Sequence, residues 1–267
     1  MRGLAVIIPE NIPSTAPRGA PRILSLLQRL PDDYLVYYEP LINPHRPDCI
    51  IISPYLGLLI VTIRHWYPRQ IREVSETEVR IGEENGYPEE NPIHRADRYL
   101  EEILRKAKRS PLCSEILEAK TNISGFRFPT GNLLVLPNCT DKGIADHPFK
   151  TLFENHPAHE VMTRETMIQL EHGGVVDLLI LLKSLVHPHG VNIPLSCEQI
   201  HSLRAVIHDE IVVGLPTSME IADSVRTVAS LKILDCDQER ILHRITSGHH
   251  LICGPAGSGK TSLLIAR

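Results

Sequence analysis

Two apolar runs, Asp48-Cys-Ile-Ile-Ile-Ser53 and Leu58-Leu-Ile-Val-Thr-Ile63, are joined by the short turn Pro54-Tyr55-Leu56-Gly57. Runs of this length that are rich in β-branched residues and bounded by Pro and Gly are typical of strands. The sequence therefore predicts two consecutive strands here, and the remaining elements are placed relative to them.

Further strands and a helix are predicted on both sides of this pair. Tyr34-Leu-Val-Tyr-Tyr38 and Leu133-Leu-Val-Leu136 are strand-like runs. Shorter runs around 69–74 and 77–81 are expected to extend a meander. An apolar face formed by leucine and isoleucine residues predicts a helix over about 20–30.

A second, charged helix is predicted from Asn91-Pro92 to about Arg109, because proline is favoured in the first turn of a helix. Residues 1–165 are therefore expected to form an α/β domain with a mixed sheet and flanking helices. Residues 166–230 are expected to be a helical connector that caps this domain or links it to the C-terminal segment. The helical stretches of the connector are Thr166–Glu171, Val175–Leu185 and Cys197–His208.

The eight residues from Gly254 to Thr261 match a phosphate-binding loop, G-x-x-x-x-G-K-T. Glycines let successive backbone N–H groups turn toward phosphate oxygens, the lysine neutralises the outer phosphates, and the threonine hydroxyl binds magnesium. We therefore expect ATP and Mg²⁺ as cofactors, with Thr261 as a metal ligand. The nucleotide-binding residues predicted from the loop are Gly254, Pro255, Ala256, Gly257, Ser258, Gly259, Lys260 and Thr261.

Residues 231–267 are expected to be the first strand, loop and helix of a P-loop motor domain. His249–Cys253 is predicted to be a buried strand that enters the loop, and a helix is predicted over Glu239–Ile245 with Asp237 as its N-cap. A P-loop ATPase also needs an acidic strand and usually an arginine from a second lobe. Since few residues follow Thr261, we expect the chain to be the truncated start of such a motor.

Composition sets only broad limits on the kind of protein. With 42% hydrophobic residues and a formal charge of −4, the chain is not a grossly basic nucleic-acid binder, although a local basic face is compatible with these values. The six cysteines lack paired C-x-x-C spacing and are expected to be reduced thiols. No apolar stretch reaches about 20 residues, and a signal pattern is missing. We expect a soluble, cytoplasmic protein without membrane contact.

The C-terminal motifs resemble the opening of a UvrD-like superfamily 1 DNA helicase. The resemblance is carried by Leu234-Asp-Cys-Asp-Gln238-Glu-Arg-Ile-Leu, a seven-residue spacer, and His250-Leu-Ile-Cys followed by the loop. It implies that Gln238 reads the adenine edge, since an amide donates and accepts hydrogen bonds at once. It also implies that DNA and the remainder of the motor, or another subunit, are partners.

The N-terminal part, about residues 18–165, resembles the nuclease-related domain called NERD, which is often found in front of this kind of helicase. The matching stretches are Leu30-Pro-Asp-Asp-Tyr, Arg46-Pro-Asp48-Cys and onward to Trp66, and Asn91-Pro-Ile-His-Arg-Ala96. This resemblance implies a fold like that of the PD-(D/E)xK nucleases. In those enzymes two carboxylates hold a divalent ion and a nearby lysine supports the nucleophile.

The catalytic residues of such a nuclease are only partly present. Asp48 matches the first acid, whereas Thr62 and Arg64 stand where the second acid and the lysine are expected. Arginine cannot serve as a tunable base, and threonine supplies no charge for a hard cation. We therefore expect nuclease activity to be lost and Asp48 to be vestigial.

Two interpretations of the surrounding basic residues remain open. They bind DNA phosphates on a degenerate nuclease fold, or they form an ordinary solvated face beside a strand-end aspartate. Trp66 likewise either stacks on a base or is a partly buried aromatic. The basic residues in question are Arg64, His65, Arg69, Arg95 and Arg98.

The sequence as a whole predicts the N-terminal portion of a DNA helicase with a degenerate nuclease-like domain. One alternative is a non-catalytic DNA-binding or scaffold protein whose P-loop is vestigial. Another is a P-loop ATPase of a different family.

Overall fold

The computed structural model describes residues 4–9, 19–42, 45–82, 86–117, 125–145, 159–186, 194–208, 212–221, 224–245, 248–255 and 257–266. Its strands are β1 Val6–Ile8, β2 Leu35–Tyr38, β3 Cys49–Ser53, β4 Gly57–Ile63, β5 Ile71–Val74, β6 Glu78–Ile81, β7 Tyr87–Glu90, β8 Thr130–Val135, β9 His159–Met162, β10 Val212–Ile221 and β11 Ser224–Ile233. Its α-helices are α1 Ala20–Leu27, α2 Pro92–Arg109, α3 Asp141–Ala145, α4 Arg164–His172, α5 Val175–Ser184, α6 Cys197–Ile207, α7 Cys236–Arg244 and α8 Lys260–Ala266. Short 3₁₀ turns lie at Pro68–Gln70 and Pro111–Ile116.

A six-stranded sheet in the order β1-β2-β3-β4-β8-β9 forms the centre of the molecule. β2, β3 and β4 are antiparallel neighbours, whereas β1, β8 and β9 join the sheet in parallel. The sheet is therefore mixed, and the prediction of an α/β chain with a mixed sheet and flanking helices is confirmed.

The turn between β3 and β4 depends on two small residues. Ser53 Oγ accepts hydrogen bonds from the backbone N–H groups of Tyr55 and Leu56, at 3.3 and 3.1 Å. Gly57 has a positive φ of 77°, and a Cβ atom there would lie 2.1 Å from the Pro129 carbonyl oxygen. Only glycine fits this position, where β4 begins beside β8.

Helices cover both faces of the sheet. On one face α1, α4 and α5 pack against alternate residues of the central strands, and the buried residues there include Leu24, Leu27, Ile51, Leu59, Met167, Leu170 and Leu182. On the other face α2 and α6 do the same, with Ile50, Ile60, Ala96, Ile103, Leu203 and Ile207 among the buried residues. The helices between 164 and 207 therefore cap the sheet, which was one of the two roles that the sequence left open.

The runs around 69–74 and 77–81 do not extend the central sheet as a meander. They form β5 and β6, which pair with each other and with β7 in a separate three-stranded sheet. The reason is that both edges of β4 are already paired, one with β3 and the other with β8. Trp66 is buried in the apolar cluster that joins this small sheet to β8, so the buried-aromatic interpretation of Trp66 is confirmed.

The expectation that residues 166–230 are helical is wrong at their C-terminal end. β10 and β11 form an antiparallel hairpin with a continuous register from Val212↔Ile233 to Ile221↔Ser224. The sequence of β11, Ser-Val-Arg-Thr-Val-Ala-Ser-Leu-Lys-Ile, contains the period-2 pattern of a strand, which the helical interpretation overlooked.

In the part of the chain that the structure describes, no helix combines the length and the apolar character needed to cross a membrane.

The start of α2 offers a direct test of the fold. Asn91 is 1% exposed; its Oδ1 accepts from the Ile93 N–H at 3.0 Å and its Nδ2 donates to the Ser75 carbonyl at 2.8 Å. Asn91→Ala removes the helix cap and the hydrogen bond that the Ser75 carbonyl accepts, so we expect the free energy of unfolding to fall by about 2 kcal/mol.

Urea denaturation measures this change. Ser196→Ala is the matched control, because Ser196 caps α6 through a single hydrogen bond to the Gln199 N–H at an exposed site. The control is expected to lose only about 0.5–1 kcal/mol. Equal losses in the two variants would contradict the role assigned to Asn91 in joining α2 to the small sheet.

Candidate functional site

The backbone of the predicted phosphate-binding loop has the conformation that its glycines permit. Gly257 and Gly259 both have a φ of 80°, in the left-handed region that favours glycine. A Cβ atom at Gly259 would also lie 2.2 Å from Gln238 Nε2. α8 begins directly after this glycine, at Lys260. Ala256, which was predicted to belong to the loop, lies outside the described residues.

Lys260 folds back across the loop. Its Nζ donates hydrogen bonds to the carbonyl oxygens of Gly254 at 2.8 Å and Pro255 at 2.7 Å, and lies 3.4 Å from Ser258 Oγ. The ammonium group is thus held against the loop by neutral acceptors of Gly254, Pro255 and Ser258. A phosphate oxygen is a stronger partner for an ammonium group than a carbonyl, because the hydrogen bond is then charge-assisted on both sides.

Gln238 connects the loop to α7. Its Nε2 donates to the Ser258 carbonyl at 3.2 Å, and its Oε1 accepts from the Asp235 N–H at 3.1 Å. Asp235 Oδ1 in turn accepts from the Gln238 N–H at 2.8 Å, which makes a capping box. The N-cap of α7 is therefore Asp235, and the prediction of Asp237 is wrong, because the helix begins at Cys236, three residues before the predicted start.

Both ends of the Gln238 amide have protein partners, so an adenine edge would have to exchange with one of them. The adenine contact stays a prediction. Thr261, the predicted magnesium ligand, is exposed in the first turn of α8. Lys260 and Thr261 are therefore the described loop residues that could hold a phosphate group and its Mg²⁺, and this binding stays a prediction.

The prediction of a buried strand over His249–Cys253 is wrong. This segment has no strand structure, and Leu251 is 90% exposed. A parallel strand needs a neighbour that accepts its hydrogen bonds and covers its faces. No described strand pairs with this segment, and α7 and α8 share only a small apolar cluster around Leu242 and Leu263.

The nuclease-like residues lie together at one end of the central sheet. Asp48 precedes β3, and its Oδ2 accepts hydrogen bonds from the Ile63 N–H at 2.7 Å and from Arg64 Nη1 at 2.9 Å. The same Arg64 nitrogen donates to the Ile63 carbonyl at 2.5 Å. The guanidinium group thus occupies the side of Asp48 that faces the end of β4, and it neutralises the carboxylate there.

Thr62 does not offer a metal ligand at this position. It is 2% exposed, and its hydroxyl has no hydrogen-bond partner among the described residues. It lines a cavity of about 10 Å³ below α2, together with Asn132, Ile93 and Ala96. Such a cavity has room for about one water molecule. Among the described residues, no three His, Cys, Asp or Glu side chains converge as a metal site requires.

The residues present therefore do not fit the divalent ion of a PD-(D/E)xK nuclease. A single carboxylate that already bridges a guanidinium and a backbone N–H leaves little charge for a hard cation.

Sequence reasoning missed Glu39, which lies beside this site. Its N–H donates to the Asp48 carbonyl at 2.9 Å, and its side chain accepts from Tyr38 OH at 2.9 Å. Glu39 has a φ of +46°, unusual for a residue other than glycine. Burial, followed by the hydrogen bond to Glu39, raises the pKa of the Tyr38 phenol. Nothing in the sequence around Glu39 indicates this conformation.

The arginines for which phosphate binding was one of the two open interpretations have partners within the protein. Glu90 accepts from Arg95 Nε and from Arg98 Nη2, both at 2.9 Å. Arg69 lies over the ring of Tyr67, with its guanidinium carbon 5.7 Å from the ring centre. These contacts favour the interpretation of a solvated face whose positive charges are balanced locally.

Comparison with known proteins found no matching family model, no matching curated protein and no matching solved structure.

The Asp48–Arg64 geometry predicts that the chain does not cleave DNA. Supercoiled plasmid incubated with the protein and Mg²⁺ or Mn²⁺ is expected to stay uncut, because the carboxylate is held by Arg64 and the second acid is absent. Agarose gels over several hours measure nicking. Nicking by the wild-type chain that disappears in Asp48→Ala would contradict this interpretation.

The burial of His65 predicts that the stability of the fold depends on pH. Burial lowers the pKa of His65 below 6.5, Asp48 opposes this shift, and Arg64 adds to it. Within the part of the chain that the structure describes, the buried ring Nε2 has no hydrogen-bond partner, and Gly19 leaves the space that the ring fills. A proton is therefore bound more tightly in the unfolded chain, and the stability that neutral His65 confers is present above pH 6.5 and lost as the pH falls below it.

Urea midpoints at pH 7.5 and pH 5.5 test this sign. The wild-type chain is expected to lose more stability on acidification than His65→Gln. The control His172→Gln, at an exposed histidine, is expected to behave like the wild type. An unchanged pH dependence in His65→Gln would show that His65 does not carry the effect.

Proposed function

We propose that this chain binds ATP with Mg²⁺ through the loop from Gly254 to Thr261, as part of a cytoplasmic, ATP-dependent DNA helicase that carries a nuclease-related domain. DNA and the remainder of the motor, or another subunit, are the proposed partners. The nuclease-like end of the sheet is proposed to be inactive.

The observation that carries the proposal is the arrangement of Lys260. Its ammonium group lies beside a loop in which Gly257 and Gly259 have positive φ, and its partners among the described residues are two carbonyl oxygens and one hydroxyl. A triphosphate offers the same ammonium group charged oxygens, and the N–H groups of the loop supply further donors.

Lys260, Thr261 and Gln238 each have a defined role in this proposal. Lys260 balances the charge of the outer phosphates, and Thr261 contributes a hydroxyl to the coordination of Mg²⁺. Gln238 holds the loop through Ser258, and its other contact, with the Asp235 N–H, is the one that it can exchange for the nucleotide base. ATP, when bound, supplies the phosphoanhydride bond whose hydrolysis drives a motor.

The alternative of a non-catalytic DNA-binding or scaffold protein predicts that the loop binds no nucleotide. The pairing of Arg64, Arg95 and Arg98 with Asp48 and Glu90 does not favour a broad DNA-binding face on the nuclease-like domain. We therefore propose nucleotide binding by the loop as the main function.

Isothermal titration with Mg-ATP tests the proposal. The wild-type chain is expected to bind, and Lys260→Ala is expected to bind roughly 10- to 100-fold more weakly, because a hydrogen bond to a charged group is worth about 1.5–3 kcal/mol. Lys142→Ala, at an exposed lysine outside the loop, is the control. Absence of binding by the wild type, or equal affinity in Lys260→Ala, would refute the proposal.

A further inference from the structure

A buried ion pair joins α7 to the central domain. Arg204 of α6 and Glu239 of α7 are both fully buried, with 2.6 Å between Nη2 and Oε2. Tyr37 of β2 completes the contact: its hydroxyl donates to Glu239 Oε2 at 3.2 Å and accepts from Arg204 Nε at 3.3 Å. The ring of His208 packs against the ring of Tyr37, with 4.9 Å between their centres.

This contact is directional in a way that apolar packing is not. A charge taken out of water is tolerated only when its partner holds a specific geometry, so a buried pair fixes the elements that carry it. Here the three elements are a strand of the central sheet, a helix that caps the sheet, and α7. The apolar cluster that α7 shares with α8 has Leu234, Leu242 and Leu263 as its buried members and includes no residue of the sheet.

The residue next to Glu239 makes the contact with the loop. Gln238 Nε2 donates to the Ser258 carbonyl, and its side chain lies against Gly259. Neighbouring residues on a helix project about 100° apart, since a turn contains 3.6 residues. In the first turn of α7, Glu239 therefore contacts the central sheet, and the neighbouring Gln238 contacts the phosphate-binding loop.

We propose that Glu239 is a positioning residue for the loop: anchored by Arg204 and Tyr37, it fixes α7 so that Gln238 holds Ser258 and Gly259 in the conformation that binds phosphate. In its effect on affinity this inference rests on the proposed function. A loop that is held in place before the ligand arrives loses less entropy on binding, so the anchor raises affinity without touching the ligand. By linkage, a ligand on the loop also stabilises the central domain.

The test uses the full chain with the double substitution Arg204→Met/Glu239→Leu. Replacing both partners with apolar residues of similar size avoids a lone buried charge, and such replacements usually preserve folding. The matched control is Arg22→Met/Glu171→Leu, which removes the ion pair between α1 and α4. Far-UV circular dichroism and cooperative thermal unfolding establish that each variant is folded.

Two readouts report on the loop. The first is the affinity for Mg-tripolyphosphate by calorimetry, which we expect to fall about five- to tenfold in the double variant, at the low end of typical coupling between sites. The second is hydrogen exchange without ligand, which we expect to become faster in peptides covering 254–263 and to stay unchanged in peptides covering 49–63. The control should change neither readout.

Gln238→Ala shows whether the effect passes through Gln238. This substitution is expected to weaken tripolyphosphate binding to a similar degree. The triple variant is expected to bind tripolyphosphate no more weakly than the double variant or Gln238→Ala, because both changes remove the same series of contacts from Glu239 through Gln238 to the loop. Wild-type affinity and wild-type loop exchange in the folded double variant would overturn the proposal. Fully additive losses in the triple variant would overturn it as well.

Two further outcomes are also decisive. If the double variant does not fold, Tyr37→Phe removes one hydrogen bond from Glu239 and is expected to speed exchange in the loop alone; unchanged exchange there overturns the proposal. If the wild type binds neither tripolyphosphate nor ATP, the proposed function fails, and the exchange measurement still decides whether Glu239 positions the loop.

Discussion

The burial of the β3–β4 hairpin on both faces is the constraint on which the rest of the structure depends. Every residue of these two strands is buried, so neither face of the hairpin can be left to solvent. Helices cover both faces with apolar stripes: α1, α4 and α5 on one face, and α2 and α6 on the other. The same requirement explains why helices from residues 164–207 return to the sheet instead of forming a separate connector.

The elements that the sequence predicted well are those in which local and tertiary signals agree. The hairpin has β-branched runs around a Pro-Gly turn, and α2 has Asn91 as its cap followed by Pro92. The elements that it predicted poorly depend on contacts between distant residues. β5 and β6 form their own sheet because β8, some 50 residues later, occupies the edge of β4. The local runs contain no sign of that competition.

The candidate sites also differ in how far the sequence could predict them. The loop from Gly254 to Thr261 is recognisable from sequence because phosphate-binding loops need particular residues at fixed spacing. The Arg204–Glu239 pair was not predictable, because an arginine and a glutamate 35 residues apart look like ordinary helix-surface charges. Only the packing of α6 and α7 beside Tyr37 removes them from water. Glu39 was missed for a related reason, since its backbone conformation is set by its neighbours in the fold.

Both candidate sites hold a cation against protein oxygens, but the two cations differ in how tightly they are bound to the fold. Arg64 is 14% exposed in its side chain, and its guanidinium is tied to the carboxylate of Asp48 and to the carbonyl of Ile63, while Asp48 is tied to the Ile63 N–H. A divalent ion that displaced Arg64 would leave a charged group without its partner at the end of a buried strand. Lys260 instead interacts with neutral carbonyls at exposed residues of the loop, so an incoming phosphate replaces weak acceptors with charged ones and leaves no charge unpaired. The fold therefore leaves no free charge for a metal ion at the first site, and at the second site it holds the cation only through neutral acceptors among the described residues.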